Sequence, residues 1–173
     1  MGDSIRRMTG EYPLFCASDG VRVGNKRRYE WEDGEGVTGK DFNITWDGDE
    51  KVALSELSLF GADSLTDATS AVVVEGEGCA TALHTHGYAS VSGHGGANFQ
   101  TVGDDALRDL LTLKKIFLWP DNDDVGRAFM FEVAKALHRL GFRGEVCTVN
   151  CPSLPKGGDV VDAAAKGVSI ENA

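Results

Sequence analysis

Between residue 71 and residue 167, short apolar runs alternate with amphipathic segments, and this alternation constrains the fold more than any other feature. It predicts strands at 71–75, 88–92, 114–119 and 144–150, and helices at 79–87, 104–113, 125–141 and 159–167. The core-facing side of the longest helix is expected to consist of Val125, Phe129, Val133, Ala136, Leu137 and Leu140. Because strands that alternate with helices form a mainly parallel sheet covered on both faces, we predict an α/β fold with about four such strands.

The N-terminal third of the chain has a different pattern. Residues 11–60 alternate apolar and polar side chains, and Asp-Gly pairs at 19–20, 33–34 and 47–48 are strong signals for β-hairpins. Residues 53–61 read as a short helix or turn that leads into the next unit. We therefore predict a small β-rich N-terminal lobe at 1–60 and an α/β domain at 61–173.

The charge balance limits how the chain can bind its partners. It contains 17 basic and 27 acidic residues, a net charge of −10. Because nucleic acids are bound largely through neutralised phosphates, a local basic patch, a divalent metal or a partner protein must supply any attraction. The apolar runs are too short to span a membrane, and no apolar segment follows the first ten residues, so we expect a cytoplasmic protein with no membrane partner.

The cysteines and histidines do not form a metal-binding pattern. The four cysteines have no CxxC pair and are expected to be reduced, mostly buried thiols: Cys16, Cys79, Cys147 and Cys151. His84, His86 and His94 have no cysteine partner at ligand spacing, so we interpret them as surface or loop histidines.

An acidic segment, WPDNDDVG at 119–126, follows the third predicted strand. Like charges about 5 Å apart repel by roughly 3 kcal/mol at an effective dielectric near 20, so this crowding indicates a bound cation. Asp121 and Asp123 point to one side of an extended loop, and Glu75 reaches the same edge from the end of the first strand. These three carboxylates are the expected ligands of Mg²⁺ or Mn²⁺, whereas Asp124 is expected to cap the following helix.

Four segments in this order resemble the Toprim domain of topoisomerases and primases: VVVEGEGCATAL, SGHGGAN, IFLWPDNDDVGR and PKGGDVVDA. The resemblance covers residues 53–166 and is nearest to primase-like members from phages and plasmids. It implies a Toprim-like Rossmannoid fold, with Glu75 as the general acid or base and with Glu75, Asp121 and Asp123 organising the metal. Asp159, in the later acidic segment, is interpreted as a helix cap in preference to a second metal ligand.

The same resemblance implies a DNA primase-type nucleotidyltransferase in DNA replication. Such a protein would use a single-stranded DNA template, nucleotides and Mg²⁺, and would work with a helicase or another replication protein. A Toprim nuclease and a noncatalytic module that docks to replication proteins are the alternatives. The noncatalytic alternative rests on two departures from the primase-like pattern, Gly78 at a lysine position and Thr81 at an acidic one.

Overall fold

The computed structural model describes residues 5–167 and contains two β-sheets, the second of which is surrounded by helices. Predicted strand and helix positions are confirmed with shifts of a few residues at their ends. Within residues 5–167, no helix has the length and apolar character that a membrane span requires.

The first sheet consists of three antiparallel strands in the order β1-β2-β3: β1 (Ile5–Phe15), β2 (Arg22–Glu32) and β3 (Thr38–Trp46). The Asp-Gly pairs at 19–20 and 33–34 lie in the two hairpin connections, as predicted. The prediction of a hairpin at 47–48 is wrong. That pair follows the end of β3, and no strand within residues 5–167 pairs with the free edge of β3.

A short connecting segment contacts both sheets. It begins with a 3₁₀ helix, Leu54–Glu56, and continues through two isolated bridges. Leu57 pairs with Cys16 at the end of the first sheet, and Phe60 pairs with Ser92 in the second. Tyr12 also packs edge-on against Phe60, with ring centroids 5.2 Å apart. The first sheet is therefore held against the α/β part of the molecule.

The second sheet is parallel throughout and has the strand order β5-β4-β6-β7. Its strands are β4 (Ser70–Val74), β5 (Ser90–Ser92), β6 (Lys115–Leu118) and β7 (Glu145–Thr148). The helices are α1 (Glu77–Thr85), α2 (Asp104–Arg108), α3 (Asp124–Arg139) and α4 (Val160–Ala165). A 3₁₀ turn, Asp109–Thr112, extends α2. The predicted α/β fold with four parallel strands is confirmed.

Helices cover both faces of this sheet. One core is formed by alternate strand residues with α2 and α3, and the other by the remaining strand residues with α1 and α4. β4 is central and buried from Ala71 to Val74, which explains its continuous apolar sequence. The carboxyl ends of all four strands lie at the same edge of the sheet.

The burial of Val125 and of the cysteines differs from the prediction. Val125 is 62% exposed, because it lies in the first turn of α3, beyond the edge of the core, while Phe129, Val133 and Leu137 are buried. The cysteines are free thiols, but only Cys79 is buried and the other three are half-buried.

Candidate active site

A cleft of about 490 Å³ lies between the two sheets, at the carboxyl end of the parallel strands. The first sheet contributes three cationic side chains to its wall, Lys26, Arg28 and Lys40. The α/β part contributes carboxylates and bare backbone: Glu75, Glu77, Asp121, Asp159, Gly76, Gly78, Gly95 and Gly96. An acidic wall therefore faces a basic wall across a space that admits a ligand.

Glu75 follows β4 directly and is buried, with 8% of its surface exposed. Its Oε1 accepts a hydrogen bond from the backbone N–H of Asp121 at 2.8 Å. A methyl group added at Gly126, in the first turn of α3, would overlap Glu75 Oε1, so only glycine fits there. Burial raises the pKa of Glu75, as do the nearby charges of Asp123 and Asp159, and the Asp121 hydrogen bond offsets part of this rise.

Asp121 follows β6 after the dipeptide Trp119-Pro120. Its pKa is raised to about 7 by burial first and then by the charges of Glu75, Asp159 and Asp123, while Lys40 opposes the rise. The two predicted residues Glu75 and Asp121 are thus brought together, and the charge of Glu75 makes Asp121 harder to ionise.

Asp123 and Asp124 have roles that differ from the prediction. Asp123 is the N-cap of α3, and its Oδ1 accepts a hydrogen bond from the N–H of Gly126 at 2.8 Å. Asp124 is the first residue of the helix, is exposed, and pairs with Arg127 at 2.8 Å. The prediction that Asp124 caps the helix is therefore wrong by one position. The assignment of Asp123 as a metal ligand stays a prediction, with one of its oxygens occupied by the cap.

Asp159 is the N-cap of α4, as interpreted from the sequence. Its Oδ1 accepts hydrogen bonds from the N–H groups of Val161 and Asp162. In turn, Asp162 Oδ2 accepts a hydrogen bond from the N–H of Asp159. Asn122 joins this segment to the acidic loop, because its N–H donates to Gly158 O at 2.8 Å. The cap thereby places Asp159 on the cleft wall beside Asp121.

The carboxylates fit a hydrated cation. Within residues 5–167, no three side chains from histidine, cysteine, aspartate and glutamate are grouped closely enough to hold one ion. Mg²⁺ commonly binds through one or two carboxylates and keeps several waters. Glu75 and Asp121, whose pKa values are raised by burial and further by neighbouring carboxylates, suit this mode of binding. The residues present therefore fit Mg²⁺ or Mn²⁺ held partly through water.

A buried charged group that was not predicted lies next to these carboxylates. Lys26 Nζ donates to Glu77 Oε1 at 2.6 Å, and His94 Nδ1 lies 3.2 Å from the same oxygen. Burial alone would raise the pKa of Glu77, but the hydrogen bond with His94 and the charge of Lys26 hold it below its usual value. His94 lies on a loop, one of the two expected alternatives, but it is buried and not at the surface. The sequence signal is the two-residue spacing of Lys26 and Arg28 on a strand, which puts both on one face.

Arg28 lies beside Gly78, the position at which the sequence departs from the primase-like pattern. Its Nη1 is 3.3 Å from the point where a Cβ at Gly78 would stand. A cation from the first sheet is thus close to the position where that pattern has lysine. Thr81, the second departure, donates its hydroxyl to Glu77 O at 2.8 Å and continues the helix.

Comparisons with known proteins give matches in structure alone. No family model matches the sequence, and no curated protein matches it. The primase of Aquifex aeolicus, solved as its zinc-binding and RNA polymerase domains, is similar with a TM-score of 0.62 and 21% identity over 90% of this chain. A DNA primase domain from Pseudomonas aeruginosa is similar with a TM-score of 0.53 and 17% identity, also over 90% of this chain.

The chain shares the fold of these DNA primase domains. It spans 36% of the Aquifex aeolicus chain and 52% of the Pseudomonas aeruginosa chain. The fold is therefore established at the level of architecture, and the chemistry of the cleft has to be argued from its own residues.

Proposed function

We propose that this chain is a magnesium-dependent, primase-like Toprim protein that joins nucleotides into primers on a single-stranded DNA template. One observation carries the proposal. The buried carboxylate of Glu75 and the half-buried carboxylate of Asp121 face Arg28 and Lys40 across one cleft. The primase-like fold supports this assignment, and so does the order of the four Toprim-like segments.

The basic wall explains how an acidic chain can attract a polyanion. Although the net charge is −10, Lys26, Arg28 and Lys40 all project from one face of the first sheet into the cleft. Lys26 is engaged by the buried Glu77 at 2.6 Å, and Arg28 pairs with the exposed Glu30 at 2.8 Å. Within residues 5–167, Lys40 has no ion pair. Lys40, and Arg28 by exchanging Glu30, are the side chains that would contact phosphates. Arginine suits this role because its planar guanidinium binds phosphate oxygens through two parallel hydrogen bonds.

Glu75 and Asp121 would hold the metal ion, with Asp123 and Asp159 adding negative potential nearby. When bound, the ion would neutralise the charge of the substrate phosphates and of the phosphoryl group being transferred. Asp121, with a pKa of about 7 without metal, would have to lose its proton to serve as a ligand.

Glu75 is proposed as the general base. Burial raises its pKa, which increases its affinity for a proton. The 3′-hydroxyl of one nucleotide would lose its proton to Glu75, its oxygen would bond to the α-phosphorus of the next nucleotide, and pyrophosphate would leave. The Asp121 N–H donates to one carboxylate oxygen of Glu75 and keeps the side chain in the cleft.

A product assay tests the proposal. The protein is incubated with single-stranded DNA, the four ribonucleotides and Mg²⁺ or Mn²⁺, with and without a replicative helicase, and labelled products are separated by length. Short oligomers that depend on template, nucleotides and metal are expected. Metal-dependent nicking without nucleotides would identify a nuclease, and no reaction together with no metal binding would identify a noncatalytic docking module.

A further inference from the structure

Three charged or titratable side chains are buried at the junction between the two sheets. The exposed fraction is 6% for the Lys26 side chain, 5% for Glu77 and 3% for His94. Lys26 Nζ donates both to Glu77 Oε1 and to the backbone oxygen of His94, each at 2.6 Å. His94 Nε2 lies 3.0 Å from Ser58 O in the connecting segment. We call Lys26, Glu77 and His94 the junction triad.

The junction triad joins elements from both sheets' sides of the cleft. Lys26 belongs to β2, Glu77 is the first residue of α1, and His94 lies on the glycine-rich loop after β5. Lys26 Nζ also lies 4.4 Å from the centre of the Phe42 ring, which extends the contact to β3. One lysine nitrogen therefore contacts two parts of the α/β lobe and a neighbouring strand of its own sheet.

Stability alone does not explain such a group. Removing two charges from water costs free energy that their attraction often fails to recover, so well-packed neutral side chains can stabilise a protein equally well. What the ion pair supplies in addition is a defined geometry, since its hydrogen bonds are short and directional. Glu77 is separated from Glu75 only by Gly76, so the geometry of the ion pair bears directly on the position of Glu75.

We propose that Lys26, Glu77 and His94 are positioning residues that fix the first sheet and the glycine-rich loop against the start of α1. They thereby set the width of the cleft and the place of Glu75 within it. The role in catalysis rests on the proposed function, whereas the role as a clamp between the two sheets does not. None of the three is assigned a contact with the reacting atoms.

The test uses a neutral replacement of the ion pair. Lys26→Met combined with Glu77→Gln keeps the side-chain sizes and removes both charges together, so that no lone charge is left buried. The matched control is Arg22→Met with Asp47→Asn, which removes an exposed ion pair of 2.7 Å that lies within the first sheet alone. Urea unfolding, hydrogen exchange followed by mass spectrometry, and primer-synthesis kinetics are measured for each protein.

We expect the neutral pair to fold with a urea midpoint close to that of the parent and to show at least about tenfold faster amide exchange in residues 92–98 and 76–80. We expect its kcat to fall by about 100-fold while the KM for nucleotides changes little, since misplaced catalytic groups lower kcat. The control should match the parent in amide exchange and in kcat. Parent-like exchange in the neutral pair would overturn the clamp, and parent-like kcat with altered exchange would overturn the positioning role.

If the neutral pair does not fold, His94→Asn is used, because it removes the Nε2 contact with Ser58 O and leaves an amide near the position of Nδ1, which lies 3.2 Å from Glu77 Oε1. Faster exchange at residues 92–98 in that variant supports the clamp, and unchanged exchange contradicts it. If the parent makes no primers, the proposed function fails, but the exchange comparison still decides whether the junction triad holds the two sheets together.

Discussion

At the scale of single residues, the protonation of Asp121 is the property that most distinguishes this cleft. Its pKa in the folded, metal-free protein is about 7, against an ordinary value of 3.8. Between these values the folded protein keeps a proton that the unfolded chain has released. By linkage, stability from this group is fully present below about pH 4 and is lost as the pH rises to about 7. The raised pKa of Glu75 acts in the same direction.

Asp121→Asn should remove the loss of folding stability that accompanies a rise in pH. At pH 8 with a chelator present, the variant should be more stable than the parent by about 1 kcal/mol, or ~3 °C in Tm, once solvent screening of a half-buried group is allowed for. At pH 4 it should show no advantage. Adding Mg²⁺ at pH 8 should stabilise the parent and not the variant. Thermal unfolding checks this, with Asp124→Asn, a change at an exposed carboxylate, as the control. A gain in stability from Asp124→Asn equal to that from Asp121→Asn would contradict the prediction.

Gly126 is the second decisive residue. Alanine in place of glycine inside a helix adds about 1 kcal/mol of helix propensity, whereas overpacking costs about 1–3 kcal/mol. Because the new methyl group would overlap Glu75 Oε1 and the backbone of Asp121, the overpacking cost should dominate. Gly126→Ala is therefore expected to lower the free energy of unfolding by about 1 kcal/mol in urea. A stabilised variant would show that the packing of α3 on Glu75 is looser than described.

At the scale of elements, the acidic loop and the start of α3 form one unit. Asp123→Ala should destabilise the protein by about 1 kcal/mol, because it removes the N-cap acceptor. Asp123→Asn retains an oxygen acceptor and should leave stability nearly unchanged. If Asp123 also serves the metal, the asparagine variant will bind Mg²⁺ more weakly by calorimetry while staying stable. If Asp123→Ala and the parent are equally stable in urea, Asp123 does not stabilise α3 as its N-cap.

Local patterns were enough to predict most elements. The β-branched run before Glu75 predicts β4 correctly, and the apolar spacing of Phe129, Val133 and Leu137 predicts α3. Both patterns are formed by residues that are close together in the sequence. The neighbouring aspartates 123 and 124 illustrate the limit. Either can cap a helix, and the choice depends on which residue leaves the helical conformation first.

The junction triad was not predictable for a different reason. Lys26 is 51 residues from Glu77 and 68 residues from His94 along the chain. The spacing of Lys26 and Arg28 places both on one face of β2, but no local pattern identifies the distant partners of Lys26. A lysine on a strand or a histidine in a glycine-rich loop is ordinarily exposed. The convergence of Glu75 and Asp121 was predictable, since the carboxyl ends of parallel strands share one edge of a sheet.

At the scale of the whole molecule, the cleft combines a basic wall from one lobe with an acidic wall from the other. This division predicts that cations on the first sheet control the affinity for nucleic acid and nucleotides. Lys40→Met should weaken binding of single-stranded DNA and reduce the slope of log K against log salt by about 0.7, the value expected for one phosphate contact. Lys114→Met is the control, because Lys114 is exposed and precedes β6 at the opposite edge of the sheet. Equal effects of the two changes would place the nucleic acid outside the cleft.

The central claim is that Glu75 takes part in template-directed nucleotidyl transfer at this cleft. The most direct measurement is the rate of primer synthesis by Glu75→Gln, compared with the parent and with Asp124→Asn at saturating template, nucleotides and Mg²⁺. A general base contributes about 10²- to 10⁴-fold, so the Glu75→Gln rate should fall by at least about 100-fold. Asp124→Asn, exposed and paired only with Arg127 in the described contacts, should keep the parent rate. A Glu75→Gln protein that folds and synthesises primers at the parent rate would contradict the account.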